Sequence, residues 1–277
     1  MSTKVSSKTT EYPGVYTASK KDGTVYYRAS FTYKNKHISL GSFDNPEDAH
    51  RVYTTANLLV SSPVMKIEDY TPIQLLPFDK WVVIINFRDN DIYFPTPIYT
   101  RKNYFSYYLS PGEELKFSID DLFYYSSHKI MKRGGHLFVA DYGMQVSIVS
   151  RYGIRPYAVE GRDYIHKNGD NTDFRYENIQ VDNIYHGVRM SRRKHRMVYQ
   201  SVIHVRGNYV IGYFDDAIKA AIAYNKAIDV LHANGLKKAY IPNYIESIPA
   251  SVYAEIYSSI VIPDKILNYK PADHLAE

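Results

Sequence analysis

The stretch "YIHKNGDNTDFRYENIQ", residues 164–180, sets an imidazole at His166 ahead of a glycine turn and an amide at Asn178 twelve residues further on. Imidazole is the side chain whose ordinary pKa lies nearest neutrality, so His166 is the residue here best suited to take and return a proton. Asn, Gly and Asp crowd the turn "NGDNTD", where each favours a tight reversal, and a His at its base can hydrogen-bond across it. The chemistry on offer is acid–base work at a strand and turn; the bland alternative is that His166 and Asn178 only hold a hairpin together. With no Cys in the chain there is no thiolate zinc site, cysteine nucleophile or disulfide framework. Any metal must be held by His, Asp, Glu or Asn.

A second reactive feature is a run of cations. Residues 187–212 contain Arg189, Arg192, Arg193, Lys194, Arg196 and Arg206 and no acid, whereas 61–160 balance 11 basic against 11 acidic side chains and the last 35 residues are net acidic. A formal charge of only +5 is thus concentrated into a polyanion-binding face. Tyr is abundant at 29 residues beside a single Trp, Trp81. Core filling is the expected use of most of these rings; stacking on an unpaired base is the other. The 277 residues suffice for two or three compact domains. The opening "MSTKVSSKTTEYPG" lacks an apolar run, and no later stretch approaches the roughly 18 to 20 apolar residues of a membrane helix. Neither export by that route nor a membrane partner is expected.

Sliding the chain against itself reveals what must position these cations. "LGSFDNPEDAHRVYTTAN" (40–57) aligns with "IGYFDDAIKAAIAYNKAI" (211–228) at an offset of 171, matching Gly41 to Gly212, Phe43 to Phe214, Ala49 to Ala220, Tyr53 to Tyr224 and Ala56 to Ala227. Upstream, "GVYTASKKDGTVYYRASFTYKNKHISLG" matches "GVRMSRRKHRMVYQSVIHVRGNYVIG" with two single-residue gaps. Each copy alternates as strands do, turns at "KNKH" or "RGNY", and then repeats apolar residues at spacings of three and four, as a helix does. Asp44 and Asp215 stand where an N-cap is expected, and Pro46 suits the first helical turn. Each module should therefore be a three-stranded antiparallel sheet with one helix on one face. If Ala29, Phe31 and Tyr33 face the helix, then Arg28, Ser30 and Thr32 face out, and in the second copy Gln200, Val202 and His204 do.

The pattern "GV…Y.A…G…LG.F…A..AY..A", about 45 residues in each copy, resembles the DNA-binding domain of the plant ethylene-response-factor family, which phage endonucleases also carry. The resemblance implies that outward sheet residues contact bases. Arg28 occupies such a position; the second copy has Gln200, and neither has the family's Trp. Lys20, Lys21, Arg28, Lys34 and Lys36 would serve one nucleic-acid site, and Arg189, Arg192, Arg193, Lys194, Arg196 and Arg206 the other. Arg28, Gln200 and His204 are the candidates for base edges.

Between the repeats, "TPIQLLPFDKWVVIINFRDNDIYFPTPIY" reads as short strands interrupted by Pro, and "HKIMKRGGH" as a hairpin. The text from about residue 118 resembles the HNH endonucleases of phages and mobile elements, with His166, Asn168, Gly169, Asp170, Asp173, Arg175, Glu177 and Asn178 on matching positions. The resemblance implies His166 as general base on a water that attacks a phosphodiester, Asn178 as brace, and Mg or Mn held beside them. The sequence departs from it at the metal. Ile165 stands where the family has Asp or His, and an alkane cannot ligate a hard cation. Asp163 lies about 6 to 7 Å further along the strand. His186 directly precedes Gly187 of the second repeat, and "IQVDNIYH" is too short for the family's intervening helix.

The expectation is an α+β chain in which two three-stranded antiparallel sheet plus helix modules flank a central ββ HNH-like domain. Its parts are a flexible N-terminus (1–12), the first module (13–60), a β-rich connection (61–117), the degenerate HNH-like region (118–185), the second module (186–235) and a C-terminal extension (236–277). In the extension Val252, Ile256 and Ile260 mark a short amphipathic helix packing back on the second module. The expected function is that of a phage protein in the host bacterial cytoplasm, descended from a homing endonuclease and gripping duplex DNA or structured RNA, ribosomal RNA included, without cleavage or cofactor. The alternative is an active Mg- or Mn-dependent endonuclease using His166 and Asn178 with Asp163 or His186.

Overall fold

The computed structural model describes residues 8–155, 158–193 and 196–271. The chain is α+β and divides into two compact units, Met1–Ile148 with Asp170–Asn178 and Val149–Gly169 with Ile179–Glu277. The stretch 118–185 is therefore shared between the two units.

The first unit opens with strands β1 (Lys8–Thr9), β2 (Val15–Ser19), β3 (Val25–Tyr33) and β4 (Lys36–Phe43), antiparallel and neighbours in that order. β1 is an addition to the expected three strands and draws residues 8 and 9 out of the supposedly flexible N-terminus. Lys34 and Asn35, both at positive φ (44° and 62°), close the β3–β4 hairpin. Helix α1 (Pro46–Ser61) buries Ala49, Val52, Ala56 and Leu59 on the sheet. Its cap is Asn45, whose side chain accepts from the Asp48 amide, one residue later than Asp44. A bulge pairs Ala29 with Gly41 but Ser30 with Ser39, leaving Leu40 as the extra residue. Ala29 and Phe31 on either side join the helix-packed core, and Ser30 between them is buried at 7% exposure instead of exposed.

Strand expectations fail between Thr71 and Tyr99, where helix α2 (Phe78–Asn90) forms and buries every residue from Trp81 to Phe87. An apolar run buried all round has no amphipathic period, so pattern alone could not separate helix from strand. β5 (Ile98–Thr100), β6 (Tyr104–Ser110) and β7 (Glu113–Ser118) follow as an antiparallel meander, then helix α3 (Leu122–Ser127). β8 (Ile130–Arg133), β9 (His136–Asp141) and β10 (Met144–Ser147) form a separate sheet, whose Gly134–Gly135 turn is the hairpin expected at "KRGGH".

The chain then sends β11 (Tyr164–His166) to the second unit, β12 (Asp173–Phe174) to a parallel pairing with β7, and β13 (Ile179–Val181) to pair with β11, His166 opposite Ile179. The second module follows as β14 (Val188–Arg193), β15 (Arg196–His204), β16 (Asn208–Phe214) and helix α4 (Ala217–Ala233). It repeats the first module's irregularity: Ser201 pairs with Gly212 but Val202 with Val210, and Val202 is buried at 5% exposure instead of exposed. The cap is Asp216, which accepts from the Ile218 and Lys219 amides, not Asp215. Helices α5 (Ala250–Ser259) and α6 (Asp264–Leu267) pack back on α4. Their contacts come from Tyr253, Ile256, Tyr257, Ile260 and Ile266, while Val252 stays exposed. Among the described residues no helix is long and apolar enough to cross a membrane.

Candidate nucleic-acid interface

Strand register builds an equivalent row across the outer face of each sheet. In the first module Tyr16, Arg28 and Ser42 stand abreast; in the second, Arg189, Gln200 and Tyr213 do. Their neighbours in sequence, Val15 and Ala29, Val188 and Ser201, are buried toward the helices, so alternation aims the row outward. Both central side chains are propped by a tyrosine. Arg28 Nη2 donates to Tyr26 Oη at 2.7 Å, with the guanidinium carbon 5.4 Å from that ring's centroid. Gln200 Nε2 donates to Tyr213 Oη at 3.0 Å, and the Arg193 guanidinium lies 4.3 Å from the centroid of the same ring.

Not every expected cation belongs to these faces. Lys34 bonds to Asp91, which raises its pKa despite some desolvation, and sits 5.0 Å from the Tyr33 centroid. Lys36 lies over Tyr93 at 4.7 Å. Both lysines thus touch the segment after α2, at exposed positions on the β3–β4 hairpin. Lys20 and Lys21 remain exposed in the β2–β3 turn, and Arg206 is exposed in the β15–β16 turn. Arg189 and Arg193 share the face of Gln200. Arg192, one residue out of phase, belongs to the opposite side of β14. Arg196 pairs across the hairpin with Arg193, and Lys194 lies outside the described residues. His204 is exposed beyond the bulge, its Nδ1 3.1 Å from Asn208 Oδ1.

His166 ends β11, opposite Ile179, the residue that follows Asn178. His166 is buried, with its Nδ1 2.7 Å from Glu160 Oε1; the carboxylate accepts from Nδ1–H, which makes Nε2 the basic nitrogen of the neutral ring. Asn178 is also buried and donates to the Asp173 carbonyl at 2.8 Å. Asp170 accepts from Thr172 and Lys116, which lowers its pKa to about 2, and Asp173 is held by Arg175.

Asp163 is fully committed. Its carboxylate, with no exposed surface, accepts from Arg155 at 3.0 Å, Asn183 at 3.1 Å, the Val159 amide at 2.8 Å and Arg162 at 2.6 Å. Burial alone would raise its pKa; the Arg162, Val159 and Arg155 contacts outweigh it and hold the group below the usual carboxylate range. A carboxylate so saturated by guanidinium and amide donors is an ion-pair hub, unsuited to ligate a metal. His186 has its backbone clasped by the Asn243 side chain, and burial, with Arg155 nearby, lowers its pKa. Among the described residues no three His, Asp or Glu side chains gather as metal ligands.

The chain matches no protein-family model, no curated protein and no solved structure. Its functional reading accordingly rests on its own residues. Sequence reasoning missed Glu160, Tyr26 and Tyr213. Glu160 is an acid six residues ahead of a histidine, a spacing with no regular period, and only the loop before β11 brings it to the ring. Tyr26 was legible two places before Arg28 on one strand face; Tyr213 needed the β15–β16 register.

Proposed function

We propose that this chain is a duplex DNA-binding protein that grips its ligand through the outer sheet faces of both modules and does not cut it. The observation that carries the reading is the repeated row, Tyr16–Arg28–Ser42 and Arg189–Gln200–Tyr213, with its central side chain propped by a tyrosine each time. Such propping reduces the rotamer freedom lost on binding. A strand ribbon fits the major groove of B-form DNA and reads base edges there, whereas the deep, narrow major groove of A-form RNA refuses side chains. That difference favours DNA over structured RNA, ribosomal RNA included. Exposed Lys20, Lys21 and Arg206 would then meet phosphates. Two modules on one chain raise each other's effective concentration. The resemblance to phage endonucleases supports an origin in a homing endonuclease and action in the host bacterial cytoplasm.

Fluorescence anisotropy on duplex DNA and on a structured RNA, across a salt series, tests this. Preferential, salt-steep binding of duplex is expected, weakened by Arg28→Ala and by Arg189→Ala; equal or tighter binding of RNA would overturn it. The second reading, a metal-dependent endonuclease, draws on one observation, the imidazole of His166 oriented by Glu160. Against it stands the saturation of Asp163. Mg- or Mn-dependent nicking of plasmid that vanishes in His166→Ala would establish cleavage.

A further inference from the structure

We infer that the two modules read different bases, and that Gln200, set by Tyr213, makes the second module select adenine. This deepens the DNA-binding reading and rests on it.

Arg28 and Gln200 are equivalent by register: each stands at the centre of its row, one residue before the bulged pair, opposite Tyr16 and Ser42 in one sheet and Arg189 and Tyr213 in the other. Their chemistry differs. A guanidinium has donors only and matches an edge of two acceptors, the O6 and N7 of guanine. A carboxamide offers one acceptor and two donors. In Gln200 the Tyr213 hydroxyl takes one donor at 3.0 Å, which leaves Oε1 and the second Nε2–H side by side. That acceptor–donor pair complements the N6 amino group and N7 of adenine. Guanine would put its O6 against Oε1, acceptor against acceptor.

Tyr213 does more than prop the amide. It is directly opposite Gln200 across the β15–β16 pair, and its ring carries Arg193 at 4.3 Å from the centroid. Arg193 is held beside the amide but belongs to the ring, so a cation is delivered near the reading position without replacing it. The first module reaches the same end from another position, since its propping ring, Tyr26, is two residues before Arg28 on the same strand, and the place equivalent to Tyr213 holds Ser42. Two independent placements of a tyrosine hydroxyl on the central side chain mark that side chain as one whose orientation matters. The Tyr213 hydroxyl holds one end of the Gln200 amide in place.

The consequence is a composite target with unlike halves, one centred on guanine and one on adenine. Each well-formed bidentate contact discriminates by about 1–3 kcal/mol, or roughly 5- to 150-fold in affinity.

The test is selection from randomised duplex DNA with sequencing of the bound fraction, for wild type, Gln200→Arg, Gln200→Ala and Tyr213→Phe. Wild type should enrich one adenine that Gln200→Arg converts to guanine and Gln200→Ala renders indifferent. Tyr213→Phe, which keeps the ring under Arg193 and removes only the hydroxyl, should lose adenine preference several-fold. If all four proteins bind duplex DNA with the same base preferences, the inference falls and the DNA-binding reading stands. If wild type enriches nothing because it binds no duplex at low salt, or prefers folded RNA in the anisotropy comparison, the parent reading falls and the inference with it.

Discussion

In the first module the carbonyl of Val15 is taken by the amide and hydroxyl of Thr10, at 3.3 and 3.1 Å; in the second, the equivalent carbonyl of Val188 is taken by the side chains of Arg155 and Asn183, both of which also bind buried Asp163. The residue after a short edge strand does in one copy what an ion-pair hub does in the other. The helices are backed differently too. α1 packs on α2, whereas α4 is covered by α5, α6 and an extended segment stitched by reciprocal bonds, Asn225 Nδ2 to the Asn243 carbonyl and the Asn243 amide to Asn225 Oδ1. What both copies keep is the bulge, the helix stripe, and a glycine under a tyrosine ring. The repeat is therefore preserved where it closes on itself, and it diverges where it meets the rest of the chain or the proposed ligand.

The shared glycine gives the strongest way to break that comparison. A Cβ on Gly14 would come within 2.0 Å of the Tyr53 ring, and one on Gly187 within 2.1 Å of the Tyr224 ring and 2.6 Å of the Val202 carbonyl oxygen, both at positive φ (76° and 70°). The ring can rotate away at some cost; the backbone at Val202, whose amide donates to the Gly187 carbonyl at 2.7 Å, cannot. Gly187→Ala should cost about 4 kcal/mol, strain and overpacking together, and Gly14→Ala somewhat less. Urea unfolding of each variant reads this, and equal losses would mean that the second module is no more tightly closed than the first.

Next in size is Asp163→Asn, which leaves two guanidinium groups without a counter-charge and should cost the second unit about 3 kcal/mol. The depressed pKa of Asp163 sets the sign with pH. Its stabilisation is complete above the unfolded carboxylate value, about 4, and is lost as pH falls through the lower folded value. Wild type should lose stability on acidification below about pH 4 more steeply than the variant. A parallel acid limb in both proteins would show that the hub is dispensable.

The duplication made the modules legible, because two copies of one alternating and then helical pattern agree on where strands end and the helix begins. Outside the repeat the same cues failed. Trp81 to Phe87 form a helix whose burial on all sides erases its period, and Lys34 and Lys36 looked like phosphate ligands because nothing local announces Asp91 or Tyr93 as their partners. Alternation put Ser30 and Val202 on an exposed face, yet both are buried beside the point where the facing strand carries an extra residue. His166 was legible as the histidine at the foot of the glycine turn, its partner Glu160 was not, and the reason is the irregular loop between them.

The lysines and arginines sharpen the contrast at the faces. Arg189→Ala should weaken duplex binding by roughly 5- to 10-fold and reduce the salt slope by about one, as loss of a single phosphate or base-adjacent cation does. Lys34→Ala with Lys36→Ala should leave affinity within about twofold and instead lower the urea midpoint, since both side chains are spent on Asp91 and Tyr93. An affinity loss for the lysine pair matching that for Arg189 would return those lysines to the binding face.

The smallest expected effect separates the residues that precede the two key glycines, Pro13 and His186. His186 is half-buried with Arg155 near it, and both influences disfavour its charged form, so its folded pKa lies below the ordinary histidine value. As pH falls from about 6.5 the unfolded chain takes up a proton that the folded chain refuses, so this group makes stability decline on acidification through the folded pKa. Pro13 has no proton to exchange, and the first module should show no such step from this position. The decline should amount to less than about 1 kcal/mol between pH 7.5 and 5.5. Urea midpoints at those two pH values should draw together in His186→Gln relative to wild type. An unchanged gap would assign the decline to another group and leave the entry into β14 insensitive to pH.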